Sequence, residues 1–213
     1  MLTQDWKDRA KVRIAQLENM HTDEVIQKFK DSGALLEGHF LLSSGLHSSA
    51  YLQCAIALQS TAAAIEFGAA LADRFRSQAI ETVASPAIGG LVIGYEVARQ
   101  LGARFIWTER EHGEMVLRRG FTVGKHERVL VVEDVITTGG STRDTIAALQ
   151  AAGAQVVGAA SIIDRSGGRA DVGVPRGSLA TLNVPAVKAE ECDACKRGEP
   201  LTKPGSRSTN DSV

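Results

Sequence analysis

Apolar positions recur along this chain with two different periods. Residues 3–20 and 22–31 space them three to four apart among many charges, which predicts two polar, amphipathic helices. Thr22, followed by Asp23 and Glu24, has the form of an N-cap with an acidic first turn, and Gly33 is a stop. Between His39 and Gln53 two short apolar runs flank a Ser/Gly/His turn, as in a hairpin. From residue 61 the pattern changes. Ala62–Arg76 reads as a helix with Ile65, Ala69, Ala72 and Phe75 near one face. A short strand at Thr82–Ser85 follows, then a helix over Gly89–Leu101, a strand at Arg104–Thr108 and a buried strand at Val129–Val132. Ser141–Ala152 reads as a helix ended by Gly153, and Gln155–Ile163 as another strand. Strands alternating with helices imply a parallel sheet with right-handed crossovers, so residues of roughly 60–185 form an α/β domain.

The segment Glu109–Lys125 fits neither period. It carries Glu109, Arg110, Glu111, Glu114, Arg118, Arg119 and Lys125, and its first half reads as a long exposed loop or hairpin. The polar tail after Pro200 is expected to fray. No internal repeat is present.

Lys plus Arg total 24 against 25 for Asp plus Glu, a net charge of −1. That balance argues against a nucleic-acid-binding footprint. Three cysteines are too few for a disulfide framework, and a reducing, cytoplasmic setting is expected. The charged N-terminus has no apolar run of signal-peptide or membrane-span length.

The sharpest chemical feature is the run from Val129 to Thr142. An apolar strand leads into the adjacent carboxylates Glu133 and Asp134, then Thr137-Thr138-Gly139-Gly140-Ser141, then a helix. In open α/β sheets ligands bind beyond the carboxyl ends of strands. The unpaired amides and partial positive charge of a helix N-terminus suit a phosphate. Glycines at 139 and 140 let the backbone approach it, and the hydroxyls of Thr137, Thr138, Ser141 and Thr142 offer donors. There is neither a GxxxxGK[ST] loop nor a GxGxxG. Two acids ahead of the loop would repel a triphosphate. They suit the vicinal hydroxyls of a ribose 5-phosphate, with Mg²⁺ nearby.

This run resembles the phosphoribosyl pyrophosphate (PRPP) signature of the type I phosphoribosyltransferases. Further segments resemble the orotate phosphoribosyltransferase branch. Gly38–Ser48 resembles its N-terminal hood over the pyrimidine, Leu117–Phe121 the stretch before the PRPP strand, and Ile163–Gly168 the segment with the orotate-binding arginine. The similarity spans about residues 20–207. It implies an α/β type I fold: a mostly parallel central sheet flanked by helices, with a small hood. Residues 1–60 would form the helices and hood, 61–199 the PRPP-binding core, and 200–213 the tail.

The resemblance also implies an activity: Mg²⁺-dependent transfer from PRPP to orotate, giving orotidine 5′-monophosphate and pyrophosphate in pyrimidine synthesis. Mg²⁺ would be bound mainly through PRPP. Glu133 and Asp134 would hold the ribose hydroxyls. The stretch Val135, Ile136, Thr137, Thr138, Gly139, Gly140 and Ser141 would receive PRPP. Thr137 and Arg165 would meet orotate, Arg165 through the carboxylate. Pro86–Gly90 matches the pyrophosphate loop. Residues 109–117 match a catalytic loop shared across a homodimer, with Arg110 and His112 on pyrophosphate. This chain departs from the pattern in that loop. Glu111, Glu114 and Gly89 stand where relatives carry lysines, Ser43 replaces a hood lysine, and Tyr51-Leu52 replaces an aromatic pair. A transferase for another base, or a regulator with the same fold that senses PRPP, are the competing readings.

His39 and His47 read as surface or turn histidines, with substrate contact from the hood as the alternative. Cys192-Asp193-Ala194-Cys195 has the spacing of half a zinc site. The sequence shows no second pair, so it reads as reduced thiols without metal, with a zinc shared across a dimer as the alternative. His126-Glu127 begins like HExxH, but position 130 is Leu.

Overall fold

The computed structural model describes residues 20–42 and 45–204. The helix expected over residues 3–20, Ser43 and the tail beyond Pro204 lie outside them. Elements in chain order are α1 (Thr22–Asp31), β1 (Leu35–Leu41), β2 (His47–Leu52), α2 (Cys54–Leu58), α3 (Thr61–Asp73), β3 (Thr82–Pro86), α4 (Leu91–Leu101), β4 (Arg104–Glu111), β5 (Glu114–Leu117), β6 (Arg128–Ile136), α5 (Gly140–Ala151), β7 (Gln155–Asp164), β8 (Arg176–Thr181), β9 (Ala186–Val187) and α6 (Asp193–Lys196).

Strand β6 shows why the core splits in two. Its side chains alternate across the sheet. Leu130 and Val132 pack with Phe67, Leu71, Ile93 and Val97, under α3 and α4. Val129 and Val131 pack with Ile146 and Leu149 of α5. All four β6 residues are fully buried, and each contributes about 1.5–3 kcal/mol by leaving water. Being buried on both faces, the strand is a continuous apolar run rather than an alternating one.

The main sheet has the order β5-β4-β3-β6-β7-β8. All its pairs are parallel except β4–β5, which is antiparallel. From β3 the chain crosses over through α4 to β4 on one side. From β6 it crosses through α5 to β7 on the other. The connections therefore diverge between β3 and β6, and a crevice opens at their carboxyl ends.

A second sheet, β1-β2-β9, forms the hood. Strand β9 and Thr202, which pairs with β1, come from the far end of the chain. Thr202 N–H donates to His39 C=O and Leu41 N–H to Thr202 C=O, both at 2.9 Å. The first tail residues are thus held on the hood rather than frayed.

Two local expectations change, and an open one is resolved. The cap of α1 is His21, whose N–H donates to Glu24 Oε2 at 3.1 Å. Thr22 instead turns its hydroxyl toward Leu179 C=O, because α1 packs on β8. Ile65 lies 41% exposed, outside the buried face of α3 that holds Ala64, Phe67 and Leu71. Residues 109–117 take the hairpin form of the two readings, continuing β4 into β5. Its turn places His112 at φ 50° and Gly113 at φ 93°, the positive angles that a two-residue turn needs between twisted strands.

Candidate active site

The crevice is built by two loops. After β3, residues 87–90 turn into α4, with a cis peptide between Ala87 and Ile88. After β6, residues 137–139 turn into α5. The loops touch: a Cβ on Gly89 would stand 2.9 Å from Asp134 Oδ1. On Gly90 it would meet Val132 C=O at 2.9 Å. Neither position has room for a side chain as the loops stand.

Glu133 and Asp134 follow the alternation of β6. Glu133 turns toward α5 and accepts the Thr142 hydroxyl. Burial pushes its carboxyl up to about 7, the Thr142 hydrogen bond opposes that, and the Asp134 charge adds to it. Asp134 turns the other way, toward Gly89 and the thiol of Cys54 on α2. Burial also raises the Asp134 carboxyl, against a hydrogen bond from Val135 N–H at 2.8 Å. In turn, burial and then the Asp134 charge push the Cys54 thiol well up, so it is a packing group and a donor, not a nucleophile.

The turn into α5 leaves its amides open. Gly139, at φ 76°, is the cap residue and brings no side-chain hydrogen bond. A Cβ there would also meet Val172 Cγ1 at 2.8 Å. Arg143 braces the loop, donating to Thr138 C=O at 2.9 Å and Asp171 C=O at 2.6 Å. Thr137 and Thr138 are exposed at the mouth of the crevice. An open helix N-terminus with exposed hydroxyls is a receptor for a phosphate dianion.

Beside it a cleft of about 810 Å³ lies between the main sheet and the hood. Thr137, Thr138 and Arg165 line one side, and Leu41, Leu46 and Tyr51 the other. Arg165 is anchored through its N–H to Ile136 C=O at 2.8 Å. Its guanidinium makes no hydrogen bond or ion pair with any other described residue. The turn that carries it is tied to Asp164, which accepts from Ser166 N–H (2.7 Å), Ser166 Oγ (2.6 Å), Gly168 N–H (3.0 Å) and Arg176 (2.8 Å). Burial works to raise the Asp164 carboxyl, but Ser166 and Arg176 outweigh it and hold it below the usual carboxylate range.

Arg110 and His112 do not join this group. Arg110 donates to Gly113 C=O of its own turn and to Asp144 of α5 at 2.9 Å, and neither residue lines the cleft. His39 and His47 are not surface histidines. Both are 6% exposed, and their rings meet each other and the Cys192/Cys195 pair. The pair that the sequence left without partners therefore has two. Sequence reasoning also missed Asp164 as the organiser of the Arg165 turn. The signal was there, an Asp followed two and four residues later by Ser and Gly, the form of a side-chain-capped turn.

The phosphoribosyl transferase domain model matches residues 57–175. Orotate phosphoribosyltransferase of Caldicellulosiruptor bescii is 52% identical over 188 residues, 88% of this chain and 99% of that one. Its counterpart in Chlorobaculum parvum is 49% identical over 189 residues, 89% and 98% of the two chains. Among solved structures, orotate phosphoribosyltransferase from Aeropyrum pernix aligns with a TM-score of 0.59 at 30% identity, over 73% of this chain and 92% of that one.

Proposed function

The chain belongs to the orotate phosphoribosyltransferases, and we propose that its crevice transfers the phosphoribosyl group of PRPP to orotate through the residues described above. The products are orotidine 5′-monophosphate and pyrophosphate, a step of pyrimidine synthesis. The observation that carries the assignment of roles is Arg165: a guanidinium with no hydrogen-bond or ion-pair partner among the described residues, lining a cleft beside the phosphate-type loop. A carboxylate-bearing planar base is what such a group recognises, with a charge-assisted fork.

Ribose 5-phosphate orientation follows from the loop after β6. The amides at the start of α5 and the hydroxyls of Thr137, Thr138 and Ser141 take the 5-phosphate, with Val135, Ile136, Gly139 and Gly140 forming the backbone cradle. Glu133 and Asp134 accept hydrogen bonds from the two ribose hydroxyls. The Gly89–Gly90 turn lies where the diphosphate passes from C1. Thr137 and Arg165 hold orotate with its ring nitrogen toward C1. The C1–O bond to pyrophosphate breaks as the N–C1 bond forms, and orotate enters already deprotonated. The transition state carries positive charge on the ribose, which the carboxylates beside it stabilise in their ionised form. Alignment supplies much of the rest.

Mg²⁺ suits this arrangement. The available donors are hard carboxylate oxygens, and Mg²⁺ would be held by one or two of them plus substrate phosphates. Among the described residues the one cluster of three or more His, Cys, Asp or Glu groups lies in the hood, so PRPP itself would supply most of the ligands. When bound, Mg²⁺ neutralises charge on the departing pyrophosphate.

The hairpin at 109–117 would complete the site of a second copy in a homodimer, presenting Arg110 and His112 to its pyrophosphate. Supporting a dimer is an apolar groove lined by Ile65, Val92, Tyr95 and Trp107, with Tyr95 60% exposed. Among the described residues no helix is long and apolar enough to cross a membrane, and the proposed setting is the cytoplasm. The test is loss of orotate absorbance with purified protein, PRPP and Mg²⁺. Turnover in the wild type that collapses in Arg165→Ala supports the assignment. Equal turnover in both overturns the role of Arg165.

A further inference from the structure

The hood holds a cluster that the transfer reaction does not use. His39 from β1, His47 from β2, Cys192 at the start of α6 and Cys195 within it bring four ligand atoms within 4.8 Å of one another. The separations are His39 Nε2 to His47 Nδ1 2.9 Å, His39 Nε2 to Cys192 Sγ 3.4 Å and to Cys195 Sγ 3.5 Å, and His47 Nδ1 to Cys195 Sγ 3.2 Å. Tetrahedral zinc, with Zn–S of about 2.3 Å and Zn–N of about 2.0–2.1 Å, sets ligand edges of about 3.3 Å for N–N and about 3.5 Å for N–S. The three N–S edges match within a few tenths of an ångström, and the N–N edge is slightly tighter.

The surroundings also fit a metal. His39 Nδ1 lies 3.0 Å from Glu199 C=O. A proton on Nδ1 donated to that carbonyl leaves Nε2 bare, which is the tautomer a ligand needs and the outer contact that metal-bound histidines make. A register shift between Glu37 and Phe40 falls at His39, a bulge of the kind that re-aims a side chain. Two thiolates and two neutral imidazoles cancel the charge of a divalent ion, so the complex is neutral at a site where His39, His47 and Cys192 are buried.

We propose that His39, His47, Cys192 and Cys195 form a structural zinc site that fastens the C-terminal segment to the hood. On binding, the two thiols release their protons to solvent and all four ligands come from the protein, leaving no open position for chemistry. The site closes a ring of contacts. His47 pairs with Val187 in the β2–β9 ladder, Thr202 pairs with His39 and Leu41, and Ala186 and Lys203 line the cleft over Arg165. Zinc would therefore fix the hood wall against which the base packs.

The experiment is elemental analysis of tag-free protein, purified with reductant from zinc-supplemented cells and dialysed against metal-free buffer. Near one zinc per chain is expected in the wild type. Cys192→Ser/Cys195→Ser is expected to retain less than about a tenth of that. If that variant fails to fold, the wild type alone decides: stripped with a chelator and given Co²⁺, it should develop thiolate-to-cobalt absorption and tetrahedral ligand-field bands. Chelation should also expose two thiols to Ellman's reagent and raise KM for orotate with kcat kept within twofold. Metal-free wild type whose thiols react at one rate with or without Zn²⁺ would overturn the proposal, as would equal zinc in the double-serine variant. Metal content is read without any turnover, so failure here leaves the assigned activity untouched.

Discussion

A Cβ on Gly89 would stand 2.9 Å from Oδ1 and 3.1 Å from Oδ2 of Asp134. The loop after β3 is therefore shaped by the carboxylate that β6 presents, and the two halves of the crevice set each other's position. Gly89→Ala must push the far end of the Asp134 side chain. Stability should change by less than about 1 kcal/mol, since only a side-chain tip has to move. KM for PRPP should rise on the order of tenfold or more, because a displacement near 1 Å at a reacting centre is felt strongly. Steady-state kinetics beside a thermal melt separate the two effects.

Arg165→Ala should raise KM for orotate roughly 10- to 100-fold, the loss of a charged hydrogen-bonded pair worth about 1.5–3 kcal/mol. PRPP affinity should hold, because the 5-phosphate loop keeps its own bracing through Arg143. Calorimetric titration with each substrate tests the split. A parallel loss of both would mean that Arg165 acts through the fold rather than on the base.

Asp164→Asn keeps the shape of the turn but removes the charge facing Arg176, which is 15% exposed at its side chain. Breaking one side of a buried pair costs on the order of 3 kcal/mol. In a chain of this size that lowers Tm by roughly 6–12 °C. Because the same carboxyl holds the Ser166 and Gly168 amides, KM for orotate should rise with it. Asp164→Glu, keeping the charge, should recover more of the stability than of the KM.

The Glu133 carboxyl, raised by burial to about 7, gives a pH signature. Between its unfolded value of about 4.3 and 7 the folded protein holds a proton that the unfolded chain has released. Its contribution to stability is therefore full at low pH and is lost as pH rises through 7. Glu133→Gln should flatten that fall, by on the order of 1–3 kcal/mol between pH 5 and pH 8. Binding runs the opposite way. The ionised carboxylate is the stronger acceptor for its ribose hydroxyl, so KM for PRPP should climb as pH drops below 7 in the wild type. In Glu133→Gln it should be high and vary less with pH, the remaining change coming from Asp134. Denaturation and kinetics across the range check both signs.

If the hairpin serves a neighbouring site, Arg110→Ala and Arg165→Ala damage different parts of each composite site. Mixing the two inactive variants should restore roughly a quarter of wild-type activity. Half of randomly exchanged dimers are mixed, and each mixed dimer contains one intact site. An unchanged sum of the two residual activities would place Arg110 in its own subunit's site or outside catalysis.

How much was legible in the sequence depends on how local each feature is. The strand–turn–helix loop proposed to receive PRPP was readable because its parts are contiguous: β6, two acids, a Gly-containing turn and α5 all lie within residues 128–151. The parallel order of the sheet followed from the alternation of strands and helices, since crossovers of that length allow little else. The edge hairpin at 109–117 was ambiguous because its strands are half-exposed and charged, so neither period dominates.

The sequence by itself determined the α/β core and the crevice at the ends of β3 and β6, with Glu133, Asp134 and the turn after them at its edge. Tertiary structure alone decided the partners of Cys192 and Cys195. His39 precedes them by 153 and 156 residues, and no spacing rule reaches that far. It also decided that Asp164 organises the arginine turn with Arg176, and that Thr202 pairs with the hood. These depend on which distant segments the main sheet brings together, and backbone periodicity carries no record of that. Burial of those polar groups is what forces them to meet, because each must find a partner once water is gone.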